Sequence, residues 1–168
     1  MKNLIKLITC LPVIIFLSAA SCKKDEIDTG FTCKVNGERW RPFANDFKLQ
    51  ETECHLTNNG ETLFIKARNT NSREHLGILV STPGILISTK YYTINSNMFL
   101  SGTYDSNSSG PGDYFQTNSS YTGQVEIKSI DTVNKRMTGT FFYDAYNEKT
   151  KQTVKITSGT FNLKYVNF

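Results

Sequence analysis

An oxygen-rich stretch between residues 104 and 113 has the residue types of a cation-binding loop. The sequence YDSNSSGPGD places Asp105, Asn107 and Ser109 at alternating positions ahead of a glycine, as in the first half of a calcium loop. The twelfth position of that pattern is Gln116, which lacks the bidentate carboxylate that a calcium loop has there. Because Gly, Ser, Asn and Pro also favour turns, we interpret the stretch as a solvated hairpin loop, with calcium binding as the weaker alternative.

The two histidines, His55 and His75, belong to no recognisable catalytic or metal-binding motif. Neither is followed by Cys, Asp or Glu at the second or fourth position after it. A glycosidase needs two carboxylates that face each other, and spacing singles out no such pair among the 15 acidic residues. We therefore expect a protein that is not an enzyme and that needs no cofactor.

Two cysteines, Cys33 and Cys54, remain once those near the N-terminus are set aside. In an oxidising compartment they could form a disulfide, which would stabilise the fold by about 3 kcal/mol on the chain-entropy estimate. Two independent buried thiols are the alternative, because spacing alone does not show whether the two side chains meet. The chain has no CxxC motif or Cys/His cluster, so zinc and redox chemistry are not expected.

Tyrosines stand out in a stretch that has no Lys or Arg between Lys90 and Lys128. Tyr104, Tyr114 and Tyr121 lie there among Ser, Asn, Thr and Gly. Rigid aromatic rings beside small polar groups suit a neutral partner such as a glycan or a peptide. The alternative is that part of these rings faces the core, since strands place aromatic residues inward at alternate positions.

The first 21 residues have the order of an export signal. Lys2 and Lys6 precede an apolar run that extends from Leu7 to Ala20 and ends in small residues. A membrane-spanning helix needs about 20 apolar residues, and this run is shorter and contains Pro12. We therefore expect residues 1–21 to be a cleavable signal rather than a membrane span.

Cys22 follows two small residues, Ala20 and Ser21. This stretch resembles a bacterial lipoprotein signal, in which the cysteine is lipid-modified and becomes the mature N-terminus, although Ala19 stands where leucine is commoner. The next four residues, KKDE, resemble the tag that follows the cysteine in surface-displayed lipoproteins of Bacteroidota. The resemblance implies a lipidated Cys22, a tether over residues 22–30, and a lipid-anchored position in the outer membrane, at the cell surface.

The remaining chain has the size of one domain and little net charge. Without Lys2 and Lys6, 17 basic and 15 acidic residues leave a net charge of +2. A nucleic-acid-binding domain is usually strongly basic, so nucleic acid is not an expected partner. Residues 31–168 are therefore predicted to form a single β domain.

Beyond residue 31, apolar residues recur at every second position rather than with the period of a helix. Turn signals separate the alternating segments at Asn36-Gly37, Asn58-Asn59-Gly60, Pro83-Gly84, 131–135 and 147–152. Beyond Gly159 the apolar residues move from even to odd positions, which predicts a β-bulge or a bend there. The pattern predicts about nine or ten strands in an antiparallel β-sandwich, with a flattened, lipocalin-like β-barrel as the alternative.

Three segments carry a wider resemblance: FTCKVNGERW (31–40), YTGQVEIKSIDTVNKRMTGTFFYDA (121–145) and VKITSGTF (154–161). They resemble a family of small uncharacterised surface lipoproteins of Bacteroidota that open with a Val-Asn-Gly-x-x-Trp hairpin. The resemblance implies a β domain of unknown role at the cell surface.

Asp131-Thr132-Val133 also resembles the site at which Bacteroidota O-glycosylate exported proteins, which implies a glycan on Thr132. An ordinary Asp-initiated turn is the alternative.

These observations favour one functional hypothesis over two others. The favoured hypothesis is a non-enzymatic, surface-anchored binding module for a glycan or a protein ligand of the envelope. A structural or assembly accessory of the envelope is the first alternative, and a hydrolase with a site on the loops is the second.

Overall fold

The computed structural model describes residues 30–44, 50–95, 99–107 and 113–167. The predicted signal 1–21 and Cys22 therefore lie outside the described residues. The described residues form twelve strands, in chain order β1 Phe31–Val35, β2 Glu38–Trp40, β3 Thr52–Thr57, β4 Thr62–Asn69, β5 Glu74–Ser81, β6 Tyr91–Ile94, β7 Leu100–Asp105, β8 Tyr114–Gln116, β9 Gly123–Asp131, β10 Arg136–Tyr146, β11 Thr153–Lys164 and β12 Val166–Asn167. The described residues contain one 3-10 turn, at Asn58–Gly60, and none of them belongs to a helix that could span a membrane.

Hydrogen bonds join the strands into one curled sheet. Its main path runs β12-β3-β4-β5-β7-β8-β10-β11-β1-β2, and β9 pairs with both β10 and β6 beside this path. All these pairs are antiparallel except β12 with β3, so the sheet is mixed. The curled sheet is a half-barrel, an architecture between the predicted sandwich and the flattened barrel. The all-β prediction is confirmed. The described residues form twelve strands rather than the predicted nine or ten, and three of the twelve, β2, β8 and β12, are only two or three residues long.

The predicted turns connect these strands. Asn36 and Gly37 join β1 to β2 with positive φ angles of 51° and 89°. Positive φ at both central residues matches the right-handed twist of the strands, which is why Asn-Gly is common in two-residue hairpins. Asn58 to Gly60 connect β3 to β4 in the same left-handed region. The 131–135 and 147–152 turns connect β9 to β10 and β10 to β11.

A β-bulge interrupts β11 next to Gly159, as the change of apolar phase predicts. Phe141 pairs with Gly159 whereas Tyr143 pairs with Ile156, so β11 contains one more residue than β10 over this interval. Ser158 within the bulge has a φ of 52°. Buried residues of β11 consequently lie at even positions before the bulge and at odd positions after it.

The core fills the concave side of the curled sheet. Alternate residues of β4, β5, β9, β10 and β11 point into it, and the largest fully buried side chain is Tyr143. Its hydroxyl group donates a hydrogen bond of 2.7 Å to the carbonyl oxygen of Thr103 on β7. Phe142 points the other way and is half exposed, as strand alternation requires.

Candidate functional site

The three tyrosines predicted to bind a ligand lie in different surroundings. Tyr104 is 4% exposed and packs in the core, and it also lines a depression together with Ser106 and Phe115, so its role in ligand binding stays a prediction. Tyr114 lies on the neighbouring strand with its side chain exposed. Tyr121 is stacked on Tyr146, with ring centroids 4.7 Å apart. The physical reason is strand alternation, which sends Tyr104 inward and Tyr114 outward.

The hydroxyl group of Tyr104 belongs to a structural cluster around Glu74. This carboxylate accepts hydrogen bonds from Tyr104, from Ser72 and, at 2.8 Å, from the indole nitrogen of Trp40. Burial, together with the hydrogen bond to Glu74, raises the pKa of Tyr104 above its usual range. Through Trp40, Glu74 and Tyr104 the cluster connects β2, β5 and β7.

The candidate calcium ligands are only partly described. Asp105 accepts a hydrogen bond of 3.1 Å from the backbone nitrogen of Asn107, which is the geometry of a turn begun by an aspartate. Ser109 lies outside the described residues. Within the described ranges, no three His, Cys, Asp or Glu side chains come together as metal ligands.

The two histidines lie on different strands. His55 is stacked against Phe64, with ring centroids 6.4 Å apart, and its Nε2 atom is 3.8 Å from Glu53. Desolvation lowers the pKa of His75, and Lys66 lowers it further. Neither arrangement supplies an acid–base pair next to a nucleophile.

Cys33 and Cys54 are separate buried thiols in the structure, not a disulfide. Cys33 lies on β1 and Cys54 on β3, and β1 pairs with β2 and β11 whereas β3 pairs with β4 and β12. The structure therefore has the second of the two arrangements that the sequence left open.

Thr132 lies in the turn between β9 and β10, where it is exposed. Asp131 begins this turn by accepting hydrogen bonds of 2.9 Å from the backbone nitrogens of Val133 and Asn134. These bonds lower the pKa of Asp131. The local geometry is that of an Asp-initiated turn, and the glycan on Thr132 stays a prediction.

A second candidate site lies on the convex side of the sheet, where two aromatic residues flank three polar ones. We call it the aromatic platform. It consists of Tyr91 on β6, Gln124 and Glu126 on β9, and Thr140 and Phe142 on β10. Strand register brings them together, since Tyr91 pairs with Glu126, Glu126 with Thr140, and Gln124 with Phe142. Tyr91 is 61% exposed and Phe142 is 52% exposed.

The carboxylate of Glu126 is held in place at the centre of the platform. Thr140 donates a hydrogen bond of 2.9 Å to Glu126, and Lys128 lies 3.6 Å from the same oxygen atom. The Thr140 hydroxyl is the largest cause of the lowered pKa of Glu126, and the hydroxyl group of Tyr91 and the charge of Lys128 contribute. The hydrogen bond to this carboxylate in turn raises the pKa of Tyr91. The platform therefore presents an ionised, fixed acceptor beside two exposed rings.

A shallow depression of about 310 Å³ lies beside Phe142. Gln124, Glu126 and Thr140 line it together with the bulge of β11, from Ser158 to Thr160. The bulge thus lies directly next to the platform, in keeping with the tendency of bulges to occur at binding sites. Phase alone could have placed Tyr91 and Phe142 outward, but only the strand register shows that they share one surface.

A larger groove, of about 560 Å³, opens at one end of the half-barrel. Apolar side chains and a few polar ones line it: Leu56, Asn59, Leu86, Ile87, Ile130, Thr132, Lys135, Tyr165 and Asn167. The ammonium group of Lys135 lies 5.9 Å from the centroid of the Tyr165 ring. This end groove is separate from the platform, which lies on the side of the sheet.

Comparisons with known proteins identify a family but no function. No curated protein and no solved structure matches the chain. The family described as "Domain of unknown function (DUF6252)" matches residues 29–163, a range that includes β1 to β10 and nearly all of β11. Because the match covers most of the chain, the protein belongs to the DUF6252 family.

Proposed function

We propose that the protein is a lipid-anchored, non-enzymatic binding module of the bacterial envelope, and that its aromatic platform binds a neutral glycan. The observation that carries this proposal is that two rings, Tyr91 and Phe142, are each more than half exposed and lie on either side of the fixed carboxylate of Glu126. Large exposed aromatic residues on one surface are typical of binding sites rather than of an inert exterior.

The chemistry of the platform suits a sugar. A pyranose ring presents C–H groups that pack on an aromatic face and hydroxyl groups that need hydrogen-bond partners at its edge. Glu126 accepts charge-assisted hydrogen bonds, and the amide of Gln124 both donates and accepts. Tyr91 and Phe142 are two strands and two residues apart, which separates their Cα atoms by about 12 Å. Two rings at that spacing suit an oligosaccharide better than a single sugar.

The anchor in this proposal is Cys22. The charged start, the short apolar run and the small residues before Cys22 support cleavage and lipidation there. Two or three acyl chains would hold the protein on the membrane far more firmly than one. A place on the outer membrane of a Bacteroidota cell, with the domain at the cell surface, completes the proposal.

Binding to an array of neutral oligosaccharides tests the platform. We expect Tyr91→Ala and Phe142→Ala each to weaken the affinity for an array-positive oligosaccharide by about 10- to 100-fold, as for central aromatic residues of other interfaces. Tyr114→Ala is the matched control, because Tyr114 is 51% exposed but lies on β8, outside the platform. Isothermal titration of the four proteins measures the effect.

Three outcomes would contradict the proposal. Equal affinities of the platform variants and the wild type would place the ligand elsewhere, and a loss confined to Tyr114→Ala would favour the tyrosine set first predicted. Hydrolysis of the bound oligosaccharide would favour the hydrolase alternative. Co-purification with an envelope complex, in the absence of any array signal, would favour the assembly accessory.

A further inference from the structure

Four exposed apolar side chains border the end groove, and we call them the apolar rim: Ile85, Leu86, Val133 and Val166. Their exposed fractions are 58%, 63%, 88% and 51%. Leu86 itself lines the groove, and the other three are chain neighbours of residues that line it. Single apolar residues are ordinary on a protein surface, whereas several around one groove indicate a surface that another phase or partner covers.

The rim lies at the end of the half-barrel where the described chain begins. The carbonyl oxygen of Gly30 accepts a hydrogen bond of 2.6 Å from the backbone nitrogen of Asn162. Tyr165, which lines the groove, is three residues further along, a distance of about 10 Å in an extended chain. β1 then runs antiparallel to β11, away from the rim. The chain that precedes Gly30 therefore joins the fold at the rim end.

The length of that preceding chain limits how far the rim can lie from an anchor at Cys22. Gly30 is the eighth residue after Cys22, so the chain between them spans at most about 28 Å. With Cys22 in the membrane, this tether is shorter than β11, whose 12 residues extend over about 40 Å, so the rim end would be the part of the domain nearest the membrane.

The charges at this end are compatible with a membrane surface. Lys135 and Lys164 are exposed there. Of the acidic groups, Glu61 accepts a hydrogen bond of 2.8 Å from the backbone nitrogen of Gly84, and Asp131 is bonded to its own turn. Lysine side chains attract anionic headgroups, while apolar side chains enter the boundary between headgroups and acyl chains.

We propose that the apolar rim inserts into the headgroup–acyl boundary of the bilayer that holds the Cys22 anchor, with Lys135 at the lipid phosphates. This inference rests on the anchor of the proposed function and not on its glycan site. With the rim in contact with the membrane, the strands point away from the membrane surface into solution. The aromatic platform, on the side of the sheet, then stays open to solution.

Fluorescence of the full lipidated chain tests the contact. The chain has one tryptophan, Trp40, which is 5% exposed and lies in the core. Val133→Trp adds a reporter at the rim, and Thr150→Trp adds a matched one in the exposed turn at the opposite end. In vesicles of phosphatidylcholine and phosphatidylglycerol with brominated acyl chains, we expect at least twofold quenching of the Val133→Trp emission relative to Thr150→Trp. Both reporters have the same intrinsic preference for interfaces, so a difference reports position.

The outcomes separate this inference from the rest of the proposed function. Equal quenching of the two reporters overturns the rim contact, and intact mass of the same sample reports independently whether Cys22 is acylated. If the protein sediments as a dimer and neither reporter is quenched in vesicles, the rim is covered by a second copy of the chain, and the inference is wrong. A glycan found on Thr132 also overturns the inference, because a sugar next to Val133 would keep the rim out of the lipid. Glycan-array binding tests the platform alone.

Discussion

The two buried thiols are expected to be chemically silent in the folded protein. Burial raises the pKa of both Cys33 and Cys54 to about 12, and the charge of Glu74 adds to the effect on Cys33. At pH 8 about one thiol in 10,000 would therefore be the reactive thiolate. We expect iodoacetamide to label neither cysteine in the native protein and both after denaturation in urea, as measured by peptide mass.

Two results would contradict this assignment. Labelling of either cysteine in the native state, at the rate of free cysteine added to the same reaction, would show that the thiol is accessible and that its pKa is not raised. An unlabelled denatured protein whose mass is lower by two hydrogens would show a disulfide between Cys33 and Cys54.

For a tyrosine, the residue type alone does not show whether the side chain is buried or exposed. Its ring packs in a core and its hydroxyl group hydrogen-bonds at a surface, so Tyr104 fits both environments by composition. Strand phase settles part of the question, because Tyr92 points inward and Tyr91 outward on the same strand. Strand phase does not identify the hydrogen-bond partner of a buried tyrosine, because Glu74 lies 30 residues from Tyr104 and no local pattern connects them.

At the scale of strands, the bulge in β11 depends on a glycine that no other residue can replace freely. A Cβ atom on Gly159 would lie 2.6 Å from the ring of Phe141. We expect Gly159→Ala to lower the free energy of unfolding by about 1–3 kcal/mol, the usual cost of overpacking. Urea denaturation followed by circular dichroism measures the change.

Ser158→Gly is the matched control for that experiment. Ser158 has a φ of 52°, where glycine has no steric penalty, and its side chain is exposed. We expect its free energy of unfolding to stay within about 1 kcal/mol of the wild type. A Gly159→Ala protein as stable as this control would show that the Phe141 ring can move aside.

Local features of the strands were predictable, whereas their pairing was not. Asn36-Gly37 and the change of phase at Gly159 are signals within a few residues, and both predictions are confirmed. The aromatic platform instead requires β6 to pair with β9 and β9 with β10, which brings residues 91, 126 and 140 side by side. Such register depends on contacts distant in sequence, which periodicity does not encode.

At the scale of the molecule, the two surfaces proposed to bind are set apart by the direction of the strands. The end groove and the apolar rim are formed by turns where strands end, whereas the platform is formed by side chains along three neighbouring strands. A single curled sheet can therefore contact a membrane at one end and a soluble ligand on its side. The alternation of apolar residues predicted the all-β class, and the aromatic site predicted from the sequence was a different set, Tyr104, Tyr114 and Tyr121. The separation of the end groove from the platform follows from the topology alone.

The stability of the whole molecule depends on contacts that cross the concave side of the sheet. Tyr143 on β10 donates a hydrogen bond of 2.7 Å to the carbonyl oxygen of Thr103 on β7, and its ring packs against Gly102. Directly along the sheet, a single residue pair, Tyr146 with Gln116, links β10 to β8. The side chain of Tyr143 thus connects two parts of the sheet that share few hydrogen bonds.

We expect Tyr143→Phe to lower the free energy of unfolding by about 1–2 kcal/mol, because it removes a part-buried hydrogen bond without leaving a large cavity. Unfolding should remain a single transition, since both parts of the sheet contribute to one core. Urea denaturation followed by far-ultraviolet circular dichroism and by Trp40 fluorescence measures both quantities. Coincident midpoints with a lowered stability would support the bridging role of Tyr143. Separate midpoints in the wild type would show instead that the two parts of the sheet unfold independently, and the hydroxyl group of Tyr143 would then not join them.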